Sequence, residues 1–221
     1  MQWQNFVQAL EKEVDWSSDK YLEEQAPVVE EILGEAGRNR HILQARTEEI
    51  AGDDDLFRSL APHMNYPRIL MDKFVVYIDP EDRFRVRLHR FKSKRQNGGA
   101  VEKVHCHKWD CSTIMLSGSY RERQFEVRDL DEEQRTCRVS QIRDHVLEQG
   151  QTNSLPTGRA HQVINESEDE ACITLFVRGP ARQPNARIFD VPNGTFYNTY
   201  GPDRQTKLGL LHMGRVDPAF H

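Results

Sequence analysis

Apolar positions divide the chain near residue 65 into a helical part and a strand-rich part. In the first part Trp3, Phe6, Val7, Leu10 and Val14 recur at three- and four-residue steps, which lays one apolar stripe along a helix. Ser18 is placed to cap a short second helix with Asp19 in its first turn. Pro27 interrupts the pattern, and Val28, Val29, Ile32 and Leu33 resume it until Gly37. A further helix carries Ile42, Leu43 and Ile50; an acid-capped turn at Asp53 to Asp55 then leads into Leu56, Phe57 and Leu60. These stripes are expected to pack a helical layer, residues 1–65, on the rest of the fold.

From Phe74 onward the apolar period shortens to two. FVVYI (74–78), FRVRLHRF (84–91), STIMLS (112–117), YRERQFEV (120–127), RTCRVSQI (135–142), QVIN (162–165) and CITLFV (172–177) are short and rich in β-formers. Turn chemistry separates them, as at Asp79-Pro80-Glu81-Asp82, Asn97-Gly98-Gly99, Ser117-Gly118-Ser119 and Pro156-Thr157-Gly158. Seven or more strands at this spacing predict an all-β sandwich or barrel over residues 66–191. Residues 192–221, rich in Gly, Pro and Asn, are expected to wrap the surface, and the basic cluster 90–96 reads as a solvated loop.

Composition narrows the class. A chain of 221 residues is one domain, or one domain with a short extension, and 37% hydrophobic residues can build a core. No apolar run approaches the ~20 residues that span a bilayer, and the first twenty residues lack the basic start and apolar middle of a signal peptide. A net charge of −5 gives no reason to expect nucleic acid or an anionic membrane as partner. The four cysteines form no Cys-x-x-Cys pair, which favours reduced thiols in a cytoplasmic protein. A small-molecule substrate is the expected partner, with the chain a monomer or a homodimer.

Three histidines carry the candidate chemistry. His105 and His107 flank Cys106, and alternation on a strand puts both rings on one face, as two ligands of one metal require. Such a pair alone is also what a polar strand face looks like. His161 follows the Pro156-x-Gly158 turn at the start of another strand.

The framing of these residues is Gly99-x5-His105-x-His107-x3-Cys111-x6-Gly118 and Gly150-x5-Pro156-x-Gly158-x2-His161-x3-Asn165. Both resemble the two motifs of the cupin superfamily, except that Cys111 stands where a glutamate is expected. The resemblance implies a mainly β fold, a cupin (double-stranded β-helix, jelly-roll-like) barrel behind the helical layer. It also implies a metal held by His105, His107 and His161. Three neutral imidazoles leave positions open for substrate and O2; iron(II) is the first expectation, with Ni, Mn, Cu and Zn also compatible with imidazole. Asp110 is a weaker alternative for the missing carboxylate ligand, since alternation from His107 points it elsewhere.

Cysteine in the glutamate position is similar to cysteine dioxygenases, whose iron is held by three histidines. Tyr66-Pro67-Arg68-x-Leu70 resembles a family segment whose arginine holds the substrate carboxylate, which implies Arg68 as anchor and Tyr66 as its neighbour. A surface salt bridge is the other reading of Arg68. The comparison also puts His89 and Phe91 among pocket-lining residues, on a strand face shared with Arg85 and Arg87. Two extra cations there would suit a larger anionic substrate, although the same face could point to solvent. The family's Ser-His-Tyr series aligns with Thr174, Phe176 and Arg178, so no tyrosine stands opposite Cys111 for a cross-link. Cys111 and Arg178 are thus the candidate catalytic positions, with Cys111 equally readable as a small core residue. The implied function is an O2-dependent oxygenase on a small carboxylate-bearing metabolite such as an amino acid or thiol. A metal-dependent lyase or isomerase, or a non-catalytic binding protein, are the alternatives.

Overall fold

The structure, a computed structural model, describes residues 2–199. Four helices come first: α1 (Trp3–Lys12), α2 (Ala26–Arg38), α3 (His41–Gly52) and α4 (Asp54–Leu60). Eleven strands follow: β1 (Met71–Ile78), β2 (Arg85–Phe91), β3 (His105–Cys106), β4 (Trp109–Ser117), β5 (Ser119–Asp131), β6 (Thr136–Glu148), β7 (Thr152–Leu155), β8 (Ala160–Ile164), β9 (Cys172–Ala181), β10 (Ala186–Asp190) and β11 (Thr195–Thr199). A one-turn helix, α5 (Lys94–Asn97), lies between β2 and β3. One sheet runs β1-β2-β9-β4-β7; the other runs β10-β11-β6-β5-β8-β3 and closes where β3 meets β10. Every strand pair is antiparallel, so the architecture is a mainly β barrel with an N-terminal helical layer, as expected.

The helical layer and the first sheet share one core. Phe6, Leu10, Leu33 and Ile42 bury against Val86, Ile114, Leu175 and Val177, the outward positions of β2, β4 and β9. Trp16 stacks on Phe84 at 5.2 Å, and Tyr21 shares a 2.8 Å hydrogen bond with Ser112 of β4. Gly37 lets α2 approach the sheet, since a Cβ there would sit 2.7 Å from the Ile114 Cδ1. With one set of side chains committed to the helices, strand alternation turns the other set inward. Those are Lys73, Arg87, His89 and Phe91 with Thr174, Phe176, Cys111 and Thr113, aligned by register.

Several local expectations are corrected. Ser18 does not cap a helix: its Oγ accepts from Lys20 N, while the π-helical turn Tyr21–Gln25 begins after Lys20 and runs into α2. Pro27 sits in the first turn of α2, where its missing N–H costs nothing, so it does not break the helix. Asp53 does cap α4, accepting from Asp55 N and Leu56 N at 2.9 Å. Strands β3, β7, β10 and β11 add to the seven read from the pattern, and part of the 90–96 segment is strand and helix, with Ser93 and Gln96 forming a capping box. Residues 195–199 pair in the second sheet; the rest of the expected extension, 200–221, lies outside the described residues. All four cysteines are buried and free, and among the described residues no helix is long and apolar enough to cross a membrane.

Candidate metal centre

His105 and His161 are register partners on β3 and β8, and His107 follows β3 by one residue. One ligand atom from each of the three lies within 4.8 Å of the others, so the predicted trio converges. His107 Nε2 and His161 Nε2 are 3.0 Å apart. Two in-plane lone pairs at that distance need a proton or a cation between them, which is the condition a metal site sets. His105 Nδ1 lies 3.0 Å from Lys103 O and donates to it, which leaves His105 Nε2 as the acceptor atom. Burial holds His105 below its ordinary pKa, and burial plus the neighbouring histidines holds His107 well below it; both are neutral and competent to ligate.

The third histidine has a carboxylate behind it. His161 Nδ1 lies 3.5 Å from Glu122 Oε2, an ion-pair contact longer than a good hydrogen bond. Glu122 is 1% exposed, and Gln124 Nε2 and Asn153 Nδ2 both donate to its Oε1, at 2.8 and 2.9 Å. Burial opposes charge on both members, but their mutual attraction outweighs it: His161 is raised and Glu122 lowered. Glu122 therefore stays ionised and keeps the proton of His161 on Nδ1, presenting Nε2 to the centre. The residues fit a metal held by three imidazole nitrogens with no carboxylate among the ligands.

Around the trio lies a small cavity of about 70 Å³. His89, Phe91, Cys111, Thr113, Tyr120, Leu155, Thr174 and Phe176 are on its wall. On that wall His89 packs on Phe176 and Phe91 on Tyr120, at centroid distances of 4.6 and 5.3 Å. Cys111 lines the cavity, and burial pushes its thiol up, so it is no thiolate nucleophile at neutral pH.

Four other candidates fall elsewhere. Arg178 is the register partner of Cys111, but its guanidinium runs along the wall to Asp82 Oδ1 at 2.9 Å and Gly179 O at 2.7 Å and does not line the cavity. Arg68 and Tyr66 belong to the turn before β1. Arg68 N donates to Asp72 Oδ1 and Lys92 Nζ donates to Arg68 O, which holds that turn outward. Arg68 lines an adjoining cleft with Lys92 and Asn97, and Tyr66 is 62% exposed. Asp110 accepts from Thr157 N at 2.6 Å and points away from the histidines. Glu122, Gln124 and Asn153 went unread in the sequence. Glu122 and Gln124 sit in the polar run YRERQFEV, whose only hint was that Tyr120, Glu122 and Gln124 share a parity.

No protein-family model matches the chain, and no curated protein matches it. Solved structures match in part. One is described as DMSP lyases (18% identity, TM-score 0.37, covering 54% of this chain and 53% of that one). Another is an RmlC-like cupin protein from Ralstonia eutropha (13%, 0.38, 66% and 76%). A third is a hydroquinone 1,2-dioxygenase crystallised with Cd2+ (13%, 0.35, 48% and 63%). The chain thus spans about half the length of the DMSP lyase structure.

Proposed function

We propose that this chain is an iron(II)-dependent oxygenase acting on a small carboxylate-bearing metabolite such as an amino acid or thiol. The observation that supports it is the convergence of three imidazoles, two of them held neutral by burial, on one wall of a small cavity. Bound iron(II) supplies a place where substrate and O2 meet and a route for electrons between them. The chain's own part is to orient and to exclude water. Glu122 sets the tautomer of His161, and the rings of Phe91, Tyr120 and Phe176 keep the cavity wall apolar. His89 Nε2 and Thr174 Oγ1, buried on that wall with no hydrogen-bond partner among the described residues, are placed to hydrogen-bond a substrate.

Anaerobic iron loading followed by an oxygen electrode, with amino acids and thiols screened in turn, tests the reading. Substrate-dependent O2 uptake that disappears in His161→Ala supports it. Turnover of a substrate without O2 uptake would replace it with a metal-dependent lyase or isomerase.

A further inference from the structure

The first sheet's inner face carries more positive charge than its neighbours can balance. Lys73, His89 and Thr174 form one register row across β1, β2 and β9; Arg87 and Phe176 form the next, and Arg85 and Arg178 the one after. Among the described residues, Asp82 is the one carboxylate that pairs with any of these cations, and it is shared by Arg85 and Arg178. Four cations therefore face one anion. Lys73 and Arg87 have no carboxylate partner among the described residues.

Arg87 is the sharper anomaly. It is only 8% exposed, and its Nε–H has no acceptor among the described residues. Its guanidinium lies over Trp109 at 5.1 Å and Phe176 at 5.7 Å, ring faces that stabilise the charge but take no N–H hydrogen bond in the guanidinium plane. Phe176 also packs on His89 and His107, so this charge lies one ring away from the candidate metal ligands. An unpaired guanidinium costs stability in a barrel interior, and such costs persist where a ligand completes the site.

We propose that Arg87 and Lys73, which stand behind the cavity wall and not on it, give that wall the charge of an oxyanion subsite, in which Thr174 Oγ1 and His89 Nε2 contact the acidic group of the substrate. The subsite takes over the role the family comparison gave to Arg68. It rests on the reading of the three-histidine cavity as the substrate site. Two unpaired cations favour a doubly charged ligand, a phosphate or dicarboxylate, over a monocarboxylate. Charge crowding agrees with this assignment: burial and then the neighbouring arginines lower Lys73 to about 8 and Arg87 to about 9, and a bound anion would relieve both.

Calorimetric titration of phosphate, succinate and acetate into the full chain, zinc-loaded and after chelation, tests the subsite. Saturable binding is expected in both metal states, with phosphate or succinate at least tenfold tighter than acetate. Arg87→Gln and Lys73→Gln should each weaken it at least tenfold, and Arg68→Gln should leave it unchanged. Arg87→Met provides a second measurement: its ligand-free Tm should rise by a few degrees, and succinate or phosphate should no longer raise it further. Wild-type affinity in a folded Arg87→Gln, acetate binding as tightly as the dianions, or no saturable binding by the wild type would overturn the subsite. Anion binding that survives alongside a failure to bind metal at the histidines would keep the subsite and remove the oxygenase reading. Metal binding with no effect of Arg87→Gln on anion affinity would do the reverse.

Discussion

Glu122→Gln replaces a buried carboxylate with an amide of nearly the same shape, and the structure dictates why that small change matters. Glu122 Oε1 accepts from Gln124 and Asn153, and Oε2 faces His161 Nδ1. A glutamine has one acceptor oxygen and one donor NH2. If its oxygen stays with Gln124 and Asn153, its NH2 meets His161 Nδ1 and forces the ring proton onto Nε2, the atom needed for the metal. If it turns over, two amide donors face an amide donor in a site closed to water. The first arrangement is cheaper, so the loss falls on metal affinity. Outer-sphere partners of this kind contribute about 10- to 100-fold in affinity, or roughly 1.4–2.8 kcal/mol. Competition against a chromophoric chelator, with zinc as a redox-inert stand-in for iron, measures it directly; circular dichroism confirms that the barrel remains folded. Unchanged affinity in a folded Glu122→Gln protein would refute the positioning role and leave Glu122 as a mere partner of two amides.

As pH falls through the raised titration of one histidine, metal binding should weaken by no more than about tenfold per unit, because a single ligand is poised to take up a proton. That ligand is His161, raised by Glu122, whereas His105 and His107 are lowered and stay neutral further down; a slope of two protons in a chelator titration would contradict this. Cys111→Ser should keep the metal and lose about 1–2 kcal/mol of stability in denaturant unfolding, since it puts a hydroxyl where a buried thiol packed. In the wild type, intact-mass and peptide mapping should show a free Cys111 thiol and no two-hydrogen loss linking it to a tyrosine such as Tyr120. Gly118→Ala should cost about 1–3 kcal/mol, because Gly118 has φ +75° and a Cβ would meet Cys172 Cβ at 2.9 Å. Asp53→Ala should cost about 1 kcal/mol, visible in thermal unfolding, by removing the acceptor for two α4 amides.

The parts legible in the sequence were those with a period or a spacing. The α1 stripe and the alternation of β2 showed through because one face of each element is buried and the other is not. The three histidines were legible because turn glycines and a proline framed them, and the fold does bring them together. What escaped reading was decided by pairing between distant strands. β3 has two residues and β7 four, too short to show a period, yet β3 carries His105 and β7 carries Asn153 behind Glu122. Arg178 looked like a catalytic position because the family comparison aligned it with a tyrosine opposite the cysteine; register does pair it with Cys111, but a long side chain reaches past its Cβ direction, and Asp82 at 2.9 Å claims it. Arg68 looked like an anchor from its neighbours in sequence; Asp72 and Lys92, which hold its turn outward, are recognisable only in three dimensions.

Metal content after reconstitution, measured by elemental analysis of the wild type and His161→Ala, tests the three-histidine centre most directly. Close to one ion per wild-type chain is expected, falling to near zero in a His161→Ala protein that keeps its strand signature. The barrel persists because its own strands, and not the ion, bury its core. Full occupancy in His161→Ala, or no tight metal in the wild type under anaerobic iron(II) or zinc loading, would contradict the centre described here.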